Sequence, residues 1–370
     1  MGELKIYQTL EEKSSNFGVA RIDTKIQFDD FFDERKSGNS IWRGMPDASH
    51  KLYTSLQRFW ITNDLDKIED NIFDYLESVI DGTLQWQNQT ITNYYKHLTN
   101  QDPSFLAVLS LLRHHDSPSP LIDWTRNPKV ALLFALMEHP NRHTSTIPNY
   151  FSVYEISPEY NWTKANIKQS THDLLCGLLD PNVAAKDPEG YETLKDVLDG
   201  CLISTELSIQ QKAHMLVNNL TYFRVSGGES NFGNVHIFQD VHGDPFDWNI
   251  NNNLNIINQE GLFILNLNPS LPLEECLESQ LKLLRNHERF SLKNRTDDHI
   301  ENMIKRERSN FRCFDIHRGL GAYIKKRLKE SLPPITKEYL FPNLYQLADD
   351  VTRQFLENES HRVKSFNPVQ

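Results

Sequence analysis

The stretch Arg113–Ala135, RHHDSPSPLIDWTRNPKVALLFA, decides how this chain is read. Two histidines and a Ser-Pro turn lead into the short apolar pair Leu121-Ile122. Asp123, Trp124 and Thr125 then stand where a strand ends, and Asn127-Pro128 opens a helix, since proline at the first helical position gives up no hydrogen bond. Val130, Ala131, Leu133, Phe134 and Leu136 make that helix apolar almost all round, which predicts a central, buried element. Strand-to-helix junctions turn backbone N–H groups outward, where ligands are gripped. Asp123, Trp124 and Thr125 are therefore candidate site residues.

Outward from this stretch, Ile41-Trp42-Arg43-Gly44 predicts a strand that ends in an arginine and a permissive glycine. Phe28–Arg35 predicts a helix before it. Residues 64–100 carry Ile68, Ile72, Tyr75, Leu76 and Val79 at helical spacing. Asp102-Pro103 opens a further helix, Ser104–His114, with Leu106, Leu109 and Leu112 toward a core. Phe151–Ile156 alternates as a strand does, and Val235–Phe238 predicts another. The Asn- and Asp-rich segment from Phe238 to Gln259 is long enough to be a binding loop. Asn255–Leu267 predicts strand, interruption at Gln259-Glu260-Gly261, and strand again. Asp315–Lys329 predicts a basic helix and Thr336–Leu356 a closing helical stretch.

This order predicts an α+β fold: a split sheet of short strands surrounded by helices, with helical insertions near 160–220 and 271–310. Residues 1–24 read as an N-terminal extension, 25–357 as one domain and 358–370 as a tail.

Composition excludes several classes. Thirty-nine basic against fifty acidic residues leave a net charge of −11, which makes nucleic acid an unlikely partner. The basic run Lys305–Arg312 reads more simply as a solvated helix face. Cys176, Cys201, Cys276 and Cys313 form no CxxC pair, so they predict buried, reduced thiols rather than a zinc site. His114-His115-Asp116 lacks identifiable further ligands for a metal, and no GxSxG elbow supports a serine hydrolase. No apolar run has the length of a membrane span, and the opening residues lack the basic start and apolar core of a signal peptide. The expectation is a cytoplasmic protein with no membrane partner and no metal.

Four blocks then carry a resemblance. They are Trp42-Arg43-Gly44; the run from His114 through Leu121-Ile122-Asp123-Trp124-Thr125 to Phe134-Ala135; Gln259-Glu260-Gly261-Leu262-Phe263; and Leu340-Phe341-Pro342-Asn343-Leu344. Together they resemble the FRG-domain proteins, named for a Phe/Tyr-Arg-Gly motif whose aromatic is tryptophan here. A more distant similarity in motif order is to ADP-ribosyltransferases, in which an arginine on a first strand holds the NAD pyrophosphate. A Ser/Thr motif before a helix holds the ribose, and a late glutamate polarises a ribose hydroxyl. The resemblance implies that Arg43 and Gly44 meet the diphosphate and that Thr125 and Asp123 meet the ribose region. Trp42, Trp124 and His115 would complete the binding set, and Gln259, Glu260 or Asp123 would supply the catalytic position. It also implies NAD as a substrate rather than a tightly bound cofactor, a small-molecule nucleotide as partner, and an association with microbial phage defence or toxin systems.

Each residue has a plainer reading. Arg43 and Asp123 can form an internal pair, Trp124 can anchor the core, Thr125 or Asn127 can cap the following helix, and the histidines can close a helix C-terminus. The departure from the transferase pattern is Gln259, which carries no negative charge. The alternative to an enzyme is thus a non-catalytic nucleotide sensor or protein-interaction module.

Overall fold

Phe151–Ile156 alternates between two apolar faces, as a strand buried on both sides must, and it is an interior strand of the sheet. The computed structural model describes residues 2–35, 40–65, 72–99, 102–115, 117–137, 147, 149–157, 235–238, 254–278, 302, 305 and 309–342. The strands are β1 (Gly18–Ile22), β2 (Ile41–Met45), β3 (Leu121–Thr125), β4 (Tyr150–Ile156), β5 (Val235–Phe238), β6 (Gly261–Asn266) and β7 (Phe311–His317). The helices are α1 (Lys25–Glu34), α2 (Ser55–Thr62), α3 (Ile72–Thr99), α4 (Phe105–His114), α5 (Pro128–Met137), α6 (Leu254–Asn258), α7 (Gly321–Lys329) and α8 (Lys337–Leu340).

The seven strands form one sheet in the order β1-β7-β4-β2-β3-β6-β5. β1 and β7 run parallel, and the other neighbours are antiparallel. The architecture is α+β, as expected. The sheet comes close to parting at one place: β2 and β3 share the single registered pair Trp42–Thr125, whereas β2 and β4 share five. A four-stranded half therefore meets a three-stranded half along a seam.

Local chemistry explains the helices. Thr24 with Gln27 and Thr54 with Gln57 form capping boxes at the starts of α1 and α2, and Ser104 caps α4. α3 breaks at Trp86–Gln89, where Gln87, Asn88 and Gln89 all have positive φ. One face of the sheet is covered by α1, α5 and α7 over the four-stranded half and by α2, α3 and α4 over β3 and β6. The opposite face packs against Tyr7, Leu10, Phe17, Leu52, Leu273 and Leu277.

α5 lies so close to β2 that a Cβ on Gly44 would stand 1.9 Å from the Ala131 carbonyl oxygen and 2.7 Å from the Ala135 nitrogen. Gly44 and the two alanines are therefore one packing device, in which absent side chains let two backbones meet.

Two local expectations need correction. Asp315–His317 belong to β7, and the helix begins only at Gly321. Phe311 and Cys313 fill one face of β7 while Phe314 and Ile316 fill the other, so pairing on both edges outweighed the basic run that follows. Leu254–Asn258 is a short helix where a strand was expected, and the strand starts after Glu260. Within the 271–310 insertion, residues 271–272 lead into a helical turn at 273–278. The 160–220 insertion, the loop from Gln239 to Asn253, Cys176, Cys201, Asp116, Asn343-Leu344 and the tail lie outside the described residues.

The N-terminal segment is built into the sheet through β1. Lys13, in the turn before β1, is fully buried; its Nζ lies 2.6 Å from Asp315 Oδ1 and donates to Ser152 Oγ at 2.8 Å. The ammonium also sits 5.7 Å from the ring centres of Tyr7 and Tyr154.

Candidate functional site

The seam between β2 and β3 gathers the residues of the two central motifs. Arg43 reaches across it and donates from Nη1 to the Asp123 carbonyl oxygen, a bond that stands where a closed sheet would have ladder bonds. The same Nη1 lies 3.9 Å from Asp123 Oδ2. The closer partner of that carboxylate is Arg113, from the last turn of α4, whose Nη2 donates to Oδ2 at 2.6 Å. Solvent still reaches the seam, because the side chains of Asp123, Arg113 and Arg43 keep 34%, 22% and 14% of their exposure.

Burial acts to raise the Asp123 pKa and is the largest single influence on it. The Arg113 and Arg43 charges and the Arg113 hydrogen bond together outweigh it, so the carboxyl is held below the usual carboxylate range. His114 is half-buried beside them, edge-on to Phe263 at 6.2 Å between ring centres. Burial lowers its pKa, Arg113 and His115 lower it further, and Asp123 opposes them. The imidazole is therefore neutral at pH 7.

Two residues along β3, Thr125 ties the strand end to the turn before β6. Its hydroxyl donates to the Gln259 carbonyl oxygen at 2.5 Å and accepts from the Asn127 N–H at 2.9 Å. The Asn127 Oδ1 accepts from the Lys129 N–H, capping α5, and its Nδ2 donates to Glu260 Oε1 at 2.9 Å. Glu260 is exposed and has a φ of 49°; its carbonyl accepts from the Arg126 N–H at 3.0 Å. Gln259 is buried, and its Nε2 lies 3.5 Å from the Leu340 carbonyl oxygen. The left-handed residue at the end of α6 thus turns Gln259 inward and Glu260 outward.

Arg43 thus meets Asp123 across the seam, and Thr125 meets the Gln259-Glu260 turn that leads into β6, on neighbouring strands of the sheet. The tryptophans do not join them as stacking surfaces. Trp42 packs between Phe31 and Phe314, and Trp124 packs against Phe311; both are core residues. Gly44 faces α5 rather than the seam opening. His115 is exposed, and its backbone N–H closes α4 on the Leu112 carbonyl. Arg113 is the participant that the sequence reading missed. It stands first in the decisive stretch, but only the return of β3 beneath α4 brings it to Asp123.

Among the described residues no helix is long and apolar enough to cross a membrane. No curated protein and no solved structure matches the chain. Residues 38–144 match the family model of the FRG domain. The match runs from just before β2 to beyond α5, so it takes in Arg43, Gly44, Arg113, Asp123 and Thr125 but not Gln259. The Trp42-Arg43-Gly44 and Asp123-Trp124-Thr125 motifs meet at the β2–β3 seam inside that span, so it is residues 38–144 that carry the likeness to the FRG domain.

Proposed function

We propose that this FRG domain binds an NAD-type nucleotide at the β2–β3 seam and acts on it as an ADP-ribosyltransferase-like enzyme, by ADP-ribosyl transfer or NAD hydrolysis. One observation carries the reading: Arg43 on β2, Thr125 on β3 and the Gln259-Glu260 turn leading into β6 belong to three neighbouring strands and their approach, beside the place where the sheet nearly parts. A guanidinium forks onto phosphate oxygens, so Arg43 takes the pyrophosphate. Asp123 and Thr125 face the ribose region. A transition state with positive character on the ribose needs a carboxylate nearby, and the exposed Glu260 is better suited to this than the uncharged Gln259. NAD enters as substrate, in a cytoplasmic setting. Binding in this pose requires the ligand to exchange with the Thr125–Gln259 hydrogen bond.

The second reading is a non-catalytic sensor or interaction module with a structural Arg43–Asp123 contact. It is favoured by the bond from Arg43 to Asp123 and by the engaged hydroxyl of Thr125. Thermal melting with millimolar NAD, ADP-ribose or ATP separates the two. Ligand at about 100 times its Kd adds about 2.7 kcal/mol to stability. A shift with NAD that disappears in Arg43→Ala, followed by measurable NAD turnover, supports the enzyme. Binding without turnover supports the sensor. No shift with any nucleotide removes the nucleotide reading, and collapse of Arg43→Ala alone marks that residue as structural.

A further inference from the structure

We infer that Arg113 is a second diphosphate-binding residue of the seam, and that Asp123 is an internal counter-ion holding Arg43 and Arg113 in position until an anionic ligand arrives. The inference rests on the nucleotide reading above and specifies its ligand as a diphosphate-bearing nucleotide. Two guanidinium groups from different elements approach one carboxylate oxygen, at 2.6 Å from Arg113 and 3.9 Å from Arg43. Two planar cations thus share one carboxylate at a place that solvent reaches, since the side chains of Asp123 and Arg113 keep 34% and 22% of their exposure. Arg113 also keeps a buried Nε without a hydrogen-bond partner among the described residues, and the neighbouring His114 Nε2 is in the same condition. Buried donors and acceptors without partners are costly, and a ligand that satisfies them recovers that loss.

The chemistry of the groups names the ligand class. Each guanidinium offers a planar fork of donors that matches two oxygens of one phosphoryl group, and two adjacent forks match two adjacent phosphoryl groups. A nucleoside without phosphate meets neither fork. Asp123 resembles such an anion in charge and in its oxygen pair. It prevents the two cations from repelling each other out of place, and it leaves Arg113 free to turn toward a stronger anion at the solvent-accessible side of the seam.

A purely structural Arg113 would tie α4 to β3 and would affect melting alone, so the test reads ligand affinity. Isothermal titration of the full chain with ADP-ribose, inorganic pyrophosphate and adenosine is compared for wild type, Arg43→Ala, Arg113→Gln, Arg113→Lys and Asp123→Asn, each checked for folding by circular dichroism. Arg113→Gln is expected to weaken ADP-ribose and pyrophosphate about tenfold or more, leaving adenosine unchanged, since charge-assisted bonds to phosphate are the stronger class. Arg113→Lys recovers part of the loss. Asp123→Asn tightens both anions and steepens their dependence on salt. If Arg113→Gln binds ADP-ribose as wild type does while Arg43→Ala loses it, the inference is overturned and the nucleotide reading stands. If folded wild type and folded Asp123→Asn bind neither anion, the nucleotide reading itself is overturned, and the role of Arg113 with it.

Discussion

Replacing Lys13 with methionine tests whether the N-terminal segment is integral to the fold. Lys13 and Asp315 are both fully buried, with 2.6 Å between Nζ and Oδ1. The substitution removes that pair and the bond from Nζ to Ser152. Asp315 would keep the Ser152 hydroxyl at 2.6 Å, but its Oδ2 already has no hydrogen-bond partner among the described residues. An ionised carboxylate would then be left in a dry interior, and breaking one side of a buried pair in this way destabilises by about 3–5 kcal/mol. Removing both charges should not. In Lys13→Met/Asp315→Leu no unpaired ion remains, and apolar replacement of a buried pair is neutral or stabilising by about 1–4 kcal/mol. Urea unfolding followed by tryptophan fluorescence measures both, with stability differences taken from the midpoints at constant m. The reasoning is refuted if Lys13→Met stays within about 1 kcal/mol of wild type, or if the double variant is no more stable than the single one.

Other expectations follow from the same packing. Gly44→Ala forces a methyl group into the Ala131 and Ala135 backbone and should destabilise by at least about 1–3 kcal/mol; equal melting would mean that α5 does not approach β2 as described. His114, depressed by burial, is harder to protonate folded than unfolded. Its contribution to stability is thus full above the unfolded value of about 6.5 and is lost as pH falls through the lower folded value. Melting temperatures between pH 5 and about 7 should therefore fall less in His114→Gln than in wild type, and parallel curves would contradict this. The Cys276 thiol is pushed up to about 12 by burial and by Glu274, and burial raises Cys313 as well. Alkylation at about pH 8 followed by peptide mass spectrometry should leave both unmodified in the folded protein, and labelling at the rate of an exposed thiol would show that they are not buried.

Much of the architecture is legible in short segments. Pro128 at the first helical position and the all-round apolar face of α5 mark a central helix, and Phe151–Ile156 marks a two-sided strand. β7 was harder to read. Phe311–Ile316 becomes a strand because β1 and β4 pair with its two edges, while the basic residues just after it carry a helical pattern of their own in α7. The short α6 escaped notice because its apolar residues, Leu254, Ile256 and Ile257, suit a strand as well as one helical turn. The tryptophans were ambiguous for another reason: an indole beside a polar motif residue looks the same in sequence whether it lines a cleft or fills a core.

Which residue types could do chemistry, and in what order they come, is written along the chain: Arg43-Gly44, Asp123-Trp124-Thr125, then Gln259-Glu260. Motifs of this kind are local, since strand, turn and helix start are written within a few neighbouring residues. Which of them meet is set by folding. It set Arg113 against Asp123, turned Gln259 inward and Glu260 outward, and drew Lys13 from an apparent extension into a buried pair with Asp315. Those contacts depend on strand order and on how closely α4 and α5 pack on the sheet. The separation along the chain, three hundred residues in the case of Lys13 and Asp315, carries no trace of them.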